Sequence, residues 1–109
     1  MEVRFLGHAA FELADGDATV LIDPFLTGNP KAAISADDVA ATTILLTHGH
    51  GDHIGDTVAI AKRTGAPAVA IVEIANELGE EGIDVRLTAQ RRIELKVGVE
   101  AAEGEIGVQ

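Results

Sequence analysis

The side chains best suited to chemistry lie in one run of six residues, 48–53, with the sequence HGHGDH. Imidazole nitrogens and carboxylate oxygens are ligands for zinc, manganese and iron, and the absence of cysteine argues against a structural zinc site built from thiolates. The two glycines let the backbone turn sharply, so alternate side chains can converge on one point. Three of the four histidines fall in this run, which therefore predicts a divalent-metal site rather than an ordinary polar loop.

The same run begins a resemblance to a known family. Residues 46–56 (LTHGHGDHIGD), together with residues 5–11 (FLGHAAF) and 21–25 (LIDPF), resemble the UPF0173 group of predicted metal-dependent hydrolases in the metallo-β-lactamase superfamily. The similarity covers residues 1–82. It implies an α/β fold that corresponds to half of a metallo-β-lactamase αββα sandwich, in which one mixed or antiparallel sheet is covered by helices.

The resemblance implies a role for each donor in the run. His48 and His50 would be ligands of a first metal ion, and Asp52 and His53 of a second. Zinc is the expected metal, with manganese or iron as alternatives. Asp52 would also orient the attacking nucleophile. His8 would lie near the metal, where it could orient substrate or carry a proton; its position in a turn allows a structural hydrogen bond as an equal alternative.

Two further aspartates flank the run. Asp23 stands at the end of a predicted strand, where it is expected to hold the free N–H of one imidazole, with a turn-forming role as the alternative. Asp56 precedes a predicted helix and is expected to cap it. Neither aspartate is expected to be a metal ligand.

The resemblance also implies that part of the family's fold is missing. A complete member is longer than these 109 residues and takes further ligands from its C-terminal half, whereas no histidine follows His53 here. Residues 83–109 depart from the family pattern, so residues 1–109 are expected to form a single half-domain that is truncated, reconstructed or designed. A symmetric homodimer would cover the apolar sheet face left open, drawn from residues 18–22 and 43–47.

Metal-dependent hydrolysis is the activity that the resemblance implies. A metal ion lowers the pKa of bound water to about 7 and polarises a carbonyl or phosphoryl oxygen. Esters, lactams and phosphodiesters are the expected substrates, and weak hydrolysis by the homodimer is expected. The alternatives are a metal-binding scaffold without catalysis and a self-associating half-domain, so whether the chain is an enzyme stays open.

Composition argues against several classes of protein. A formal charge of −10 argues against nucleic-acid binding, which depends on clustered Lys and Arg. No apolar run approaches the roughly 20 residues of a membrane helix, and the N-terminus has no signal-peptide pattern, so a cytoplasmic protein without a membrane partner is expected. Hydrophobic residues make up 47% of the chain, but only three are aromatic, which predicts one small aliphatic core.

Three short strands are predicted ahead of the run, at residues 3–6, 10–14 and 18–22. Asp15-Gly16 is a strong signal for a two-residue hairpin turn with positive φ at both positions. A long loop over residues 24–38, helical near residues 36–40, would be either a substrate lid or an ordinary connection. Residues 43–47 are expected to form a buried strand that leads into the run.

After the run the pattern predicts a helix from Asp56 to Gly65, a strand at residues 68–72 and a helix at residues 73–78. Gly65 would provide the left-handed stop of the first helix. The tail predicts a hairpin around residues 88–92, because one register places Val85 opposite Leu95 and pairs opposite charges on the other face. Beyond it, residues 99–109 either form a last strand or fray.

Overall fold

A mixed sheet of six strands forms the body of the domain. The computed structural model describes residues 1–87 and, for the backbone alone, two further strands. The six strands of this sheet are β1 (Glu2–Gly7), β2 (Ala10–Asp15), β3 (Ala18–Ile22), β4 (Thr43–Leu45), β5 (Ala68–Ala70) and β6 (Val85–Leu87). The two further strands are β7 (Ile93–Lys96) and β8 (Glu105–Val108). The helices are α1 (Gly51–Ile54), α2 (Thr57–Thr64) and α3 (Val72–Gly79). Strands β1 to β6 lie side by side in chain order, which confirms the predicted α/β fold with one mixed sheet.

The first three strands form an antiparallel meander. Phe11 of β2 lies between Phe5 of β1 and Ile22 of β3. The turn between β2 and β3 comes one residue later than predicted, because Asp15 is the last paired residue of β2 and Gly16 begins the turn. Gly16 has a φ of 57°, and the second central residue is not left-handed, so the turn meets the requirement of type II′ rather than type I′.

The second half of the sheet is parallel, because long crossovers connect its strands: a loop leads from β3 to β4, and helices precede β5 and β6. Strands β3 to β6 pair through contacts such as Leu21 with Ile44, Ile44 with Ala68 and Ala68 with Val85. Leu21, Ile44 and Ala68 have no exposed surface, which explains why these short strands are almost wholly apolar. The carboxyl ends of parallel strands meet at one edge of a sheet, and the histidine-rich run, residues 48–53, follows β4 at that edge.

Helices and the loop after β3 cover one face of the sheet. Helix α2 contributes Ile60, α3 contributes Ile74 and Leu78, and the loop contributes Val39 to the same core. Helix α2 ends at Gly65, whose left-handed backbone (φ 78°) confirms the predicted stop. Among the residues that the structure describes, none lies in a helix long and apolar enough to cross a membrane.

The helix predicted near residues 36–40 does not form. Instead, the Asp38 N–H donates to the Ser35 carbonyl at 3.0 Å in a single turn. Val39 and Ala41 are both buried, and this alternate spacing is that of extended chain rather than of a helix. Burial of these two side chains therefore overrides the helix propensity of the alanines.

The predicted tail hairpin is wrong. Val85 in β6 pairs in parallel with Ala68 of β5 rather than with Leu95, and Leu95 of β7 pairs with Ile106 of β8 in a separate antiparallel sheet. Helix α3 returns the chain to the edge of β5, whose backbone groups accept β6 as the next strand. Of the two alternatives given for residues 99–109, a last strand forms over Glu105–Val108, while the predicted turn at residues 88–92 lies outside the described residues.

The other face of the sheet carries rows of apolar side chains that run across the strands. In one row Phe5, Phe11, Ile22 and Leu45 are successive partners. Phe5 is 57% exposed and Phe11 is 37% exposed, whereas Leu45 is 5% exposed and Val20, in the next row, is 3% exposed. The exposed part therefore lies on β1 and β2, not on β3 and β4 as predicted. Val20 and Leu45 belong to a small buried cluster that keeps them out of water.

Candidate metal centre

The histidine-rich run follows β4, has extended backbone at His50 and then coils into the single-turn helix α1. The sequence predicts only a loop here, and α1 corrects that prediction for residues 51–54. The Ile54 N–H donates to the His50 carbonyl at 2.9 Å, and the helix ends at Gly55. This change from extended chain to helix makes three imidazoles converge. The ring centroid of His48 lies 4.5 Å from that of His50 and 4.0 Å from that of His53.

Asp23 contacts this cluster from the end of β3. Its carboxylate is buried and accepts hydrogen bonds from His53 Nδ1 at 2.9 Å and from the N–H and hydroxyl of Thr47 at 2.8 and 2.6 Å. Its backbone is left-handed, with a φ of 47°, a conformation that aspartate tolerates better than most residues. The predicted role of Asp23 as a residue that holds an imidazole is confirmed.

The same carboxylate sets the proton positions on two imidazoles. A carboxylate only accepts hydrogen bonds, so Nδ1 of His53 carries its proton and Nε2 keeps a lone pair. The single hydroxyl proton of Thr47 is donated to Asp23, so His48 Nδ1, 2.9 Å from the Thr47 oxygen, must donate to that oxygen. His48 Nε2 therefore also keeps a lone pair. A neutral imidazole with its other nitrogen held in this way is the usual form of a metal-binding histidine.

His8 joins the cluster from the turn between β1 and β2. Its Nε2 lies 3.0 Å from Asp52 Oδ2, and its ring packs edge-on against Phe25 at a centroid distance of 5.7 Å. Desolvation would raise the pKa of Asp52, but the hydrogen bond from His8 and, when the imidazoles are protonated, the charges of His53 and His8 outweigh it and hold that pKa below its usual value. Asp52 is therefore ionised at neutral pH. The structure places His8 beside residues 48–53, as the resemblance implies.

Donor atoms of these residues form two groups, and within each group all atoms lie within 4.8 Å of one another. The groups are His8, Asp52 and His53, and Asp23, His48 and His53. Imidazole nitrogen and carboxylate oxygen suit a divalent ion such as zinc, manganese or iron, so the donor set fits the metal that the family implies. His50 belongs to neither group, although its Nδ1 lies 3.1 Å from His48 Nε2. The identity of the metal stays a prediction.

Asp56 connects the histidine-rich run to the segment after β3 through hydrogen bonds, and its side chain does not cap α2 as predicted. Although it stands at the N-cap, its carboxylate accepts the N–H groups of Leu26 and Thr27 at 2.9 and 2.8 Å. Its own N–H donates to the Pro24 carbonyl at 3.0 Å. Gly55 is left-handed, with a φ of 47°, and a Cβ there would collide with the backbone of the same segment.

Sequence reasoning missed two residues of the site, Thr47 and Phe25. Thr47 directly precedes the run, and a hydroxyl next to a histidine was a usable local signal, because Thr side chains readily bond to neighbouring polar groups. Phe25 had no such signal. Its contact with His8 joins two segments that are separate in sequence, so only the folded chain shows it.

Comparisons with known sequences agree with this geometry. The sequence model of the Metallo-beta-lactamase superfamily matches residues 3–108. A UPF0173 metal-dependent hydrolase from Thermococcus kodakarensis is 55% identical over 85 residues, which are 78% of this chain and 38% of that protein. A relative of the same description from Thermococcus onnurineus is 62% identical over 80 residues, which are 73% of this chain and 35% of that protein.

Two solved structures share the fold. A novel metallo hydrolase from Ignicoccus hospitalis has a TM-score of 0.74 and 29% identity, over 94% of this chain and 44% of that chain. A possible metal-dependent hydrolase from Veillonella parvula, at 24% identity, has a TM-score of 0.64 and shows the fold alone. The chain spans 38% and 44% of the length of the first relatives in sequence and in structure. The match over residues 3–108 and the shared fold show that the chain belongs to the metallo-β-lactamase superfamily.

Proposed function

We propose that this chain is a metal-dependent, hydrolase-like half-domain. In this proposal His48, His50, Asp52 and His53 bind the divalent metal, and their imidazole-rich donor set favours zinc over manganese or iron. Asp52 and His8 are the candidate catalytic residues. The observation that carries the proposal is the convergence of imidazole nitrogens and carboxylate oxygens within 4.8 Å.

The proposed reaction is hydrolysis of an ester, a lactam or a phosphodiester. A divalent ion bound here would lower the pKa of water to about 7 and polarise the carbonyl or phosphoryl oxygen. The ionised carboxylate of Asp52 accepts a hydrogen bond from the attacking water and so orients it. In this proposal His8, whose Nε2 lies 3.0 Å from Asp52 Oδ2, gives a proton to the leaving group.

A symmetric homodimer is proposed as the active form. Phe5 and Phe11 pack together at a ring centroid distance of 5.2 Å, and with Val3 they present an exposed apolar patch on β1 and β2. In a dimer with a twofold axis, this patch on one copy packs against the same patch on the other copy. The chain spans 35% to 43% of the length of its sequence relatives, and in this proposal a second copy supplies ligands and pocket walls that a longer member takes from its own chain.

Weak activity is expected because the site is open. The side chains of His8 and Asp52 are 43% and 48% exposed, and an open site positions water and substrate poorly. The same exposure favours the alternative function, a metal-binding or self-associating scaffold without catalysis. The cytoplasmic location expected from the sequence stays a prediction.

Metal titration tests the proposed site. In calorimetry we expect zinc or manganese to bind the wild type, and the His48→Ala/His50→Ala double variant to lose by at least about tenfold its affinity for the ion that these two imidazoles hold. An Asp37→Asn variant, which removes an exposed carboxylate elsewhere in the chain, should bind as the wild type does. A double variant that binds as many ions as the wild type, each as tightly, would overturn the assignment of His48 and His50.

Hydrolysis of activated esters, lactams and phosphodiesters with added zinc tests catalysis. We expect a chelator to abolish turnover and Asp52→Ala to lower it sharply, because both changes remove the machinery that activates water. Turnover that survives the chelator would contradict the mechanism. Bound metal without any turnover would support the scaffold instead.

A further inference from the structure

We infer that His8 is a metal ligand, and that His8, Asp52 and His53 form a three-donor site contained within this chain. The inference rests on the proposed function, because it assigns one ion to a particular set of the side chains that the proposal brings together. It also means that His8 is a ligand, not a proton carrier, when this ion is bound.

His53 offers one nitrogen to this site. Asp23 holds its Nδ1 at 2.9 Å, so the lone pair is on Nε2. That Nε2 lies 3.8 Å from Oδ1 of Asp52. Asp23 therefore orients the ring so that its free nitrogen is next to Asp52, and a carboxylate behind an imidazole also makes the imidazole a better ligand.

His8 brings a third donor atom to the same place. Its Nε2 lies 3.0 Å from Asp52 Oδ2, and its ring centroid lies 5.5 Å from that of His53. This nitrogen carries the proton of the hydrogen bond to Asp52, so a bound ion would take the place of that proton and the neutral ring would keep its proton on Nδ1. The ligand atoms of the three residues all lie within 4.8 Å of one another. Bonds from zinc to nitrogen and oxygen are about 2.0 to 2.2 Å long, so atoms that share one such ion lie about 3 to 4 Å apart. Small side-chain movements are enough to close this set on an ion.

Backbone packing sets the direction of His8. His8 has a φ of 57° and Gly7 a φ of 111°, both in the left-handed region that L side chains avoid. A Cβ at Gly7 would meet the carbonyl oxygen of Lys31 at 2.5 Å, so the loop after β3 packs directly on this turn. The position of His8 therefore depends on the surrounding fold and not only on its exposed contact with Asp52.

The second donor group is less available to an ion. The carboxylate of Asp23 in that group already accepts three hydrogen bonds, two from Thr47 and one from His53. The group also shares His53 with the first group. His48 and His50 then remain as a pair with no third donor of their own within the described part of the chain. We therefore expect the first ion bound by each chain to occupy the site that contains His8.

Metal binding by the wild type, His8→Asn and His48→Asn tests the inference. Asparagine tolerates the left-handed region but is shorter than histidine, so His8→Asn removes the donor and keeps the turn. Calorimetry with Zn²⁺ measures affinity, and the visible spectrum of bound Co²⁺ reports the donor set. We expect His8→Asn to weaken binding of the first ion by at least about tenfold and to change the Co²⁺ spectrum. The control His48→Asn removes an imidazole from the same cluster and should leave the first ion bound.

The outcomes separate failure of the inference from failure of the proposed function. If the wild type binds neither Zn²⁺ nor Co²⁺, both the proposed function and the inference are wrong. A His8→Asn variant that binds the first ion as tightly as the wild type overturns the inference alone. If His8→Asn does not fold, nitrogen-15 spectra of the wild-type imidazoles decide. The Nε2 signal of His8 must move with the first equivalent of Zn²⁺, and an unmoved signal overturns the inference.

Discussion

Asp23 and His53 are 30 residues apart in sequence, and Oδ2 of the first lies 2.9 Å from Nδ1 of the second. The hydroxyl of Thr47 extends this contact to His48, so one buried carboxylate sets the tautomers of two imidazoles. Both rings then keep a lone pair on Nε2, and that of His48 accepts a hydrogen bond from His50 Nδ1 at 3.1 Å. The protein's own hydrogen bonds thus organise the donor atoms for a metal ion.

Replacing Asp23 by Asn should weaken both metal binding and the fold. The amide has no negative charge to hold the N–H of His53, so zinc affinity should fall by about 10- to 100-fold. The free energy of unfolding should fall by about 1 to 3 kcal/mol, because buried hydrogen bonds lose their acceptor. Calorimetry and urea unfolding measure the two effects. The control Asp37→Asn removes an exposed carboxylate and should change neither quantity. Unchanged zinc affinity in Asp23→Asn would contradict the orienting role.

Metal affinity should fall as the pH drops from about 8 to about 6, and Asp52 should not be the cause. Desolvation alone would raise the pKa of Asp52, but the hydrogen bond from His8 and, when the imidazoles are protonated, the charges of His53 and His8 lower it overall. Asp52 therefore stays ionised in this range, while protons compete with the metal for imidazole nitrogens.

Zinc calorimetry at several pH values on Asp52→Asn checks this assignment. The variant should bind zinc more weakly than the wild type at every pH, because it lacks a charged donor. Its affinity should nevertheless change with pH as steeply as that of the wild type. A flatter pH dependence in the variant would show that Asp52 itself takes up a proton in this range.

The variant Asp56→Ser distinguishes the observed contact from a helix cap. Serine is a good N-cap residue, so a simple capping role would leave the stability nearly unchanged. Because the Asp56 carboxylate instead accepts the N–H groups of Leu26 and Thr27, the shorter serine should lower the free energy of unfolding by about 1 to 3 kcal/mol. Asp56→Asn keeps the reach of the side chain and should lose less. Urea unfolding measures both variants, and a serine variant as stable as the wild type would restore the capping interpretation.

Phe5→Glu tests the proposed homodimer. Phe5 is 57% exposed in the single chain, and a carboxylate buried there by a second copy would lack a partner. The dissociation constant of the dimer should rise by at least about tenfold. Val72→Glu is a matched control, because Val72 is an apolar residue that is 46% exposed outside this patch. Light scattering over a range of concentrations measures the association. A wild type that stays monomeric throughout would contradict the homodimer.

Features that depend on neighbours in sequence could be predicted. Strands β1 and β2 alternate with a period of two, β3 is a short apolar run after a turn signal, and Gly65 ends α2, so local preferences were enough to locate them. The donors at residues 48–53 were equally visible, because they are adjacent in the chain and closely spaced imidazoles favour metal binding over an ordinary polar loop. The hairpin turn was displaced by only one residue, since Asp15 and Gly16 both favour turns.

Only the tertiary structure decided which distant groups meet. His8 contacts Asp52 across 44 residues, and the carboxylate of Asp56 accepts the Leu26 N–H across 30 residues. The alternating residues around Val85 are equally compatible with a strand that pairs with β5 and with one that pairs with β7. Local patterns therefore determined which elements and donors the chain contains, but several partners satisfied each pattern equally well. The packing of the whole chain selected among them, because a strand edge or a carboxylate bonds to the groups that the fold brings within reach.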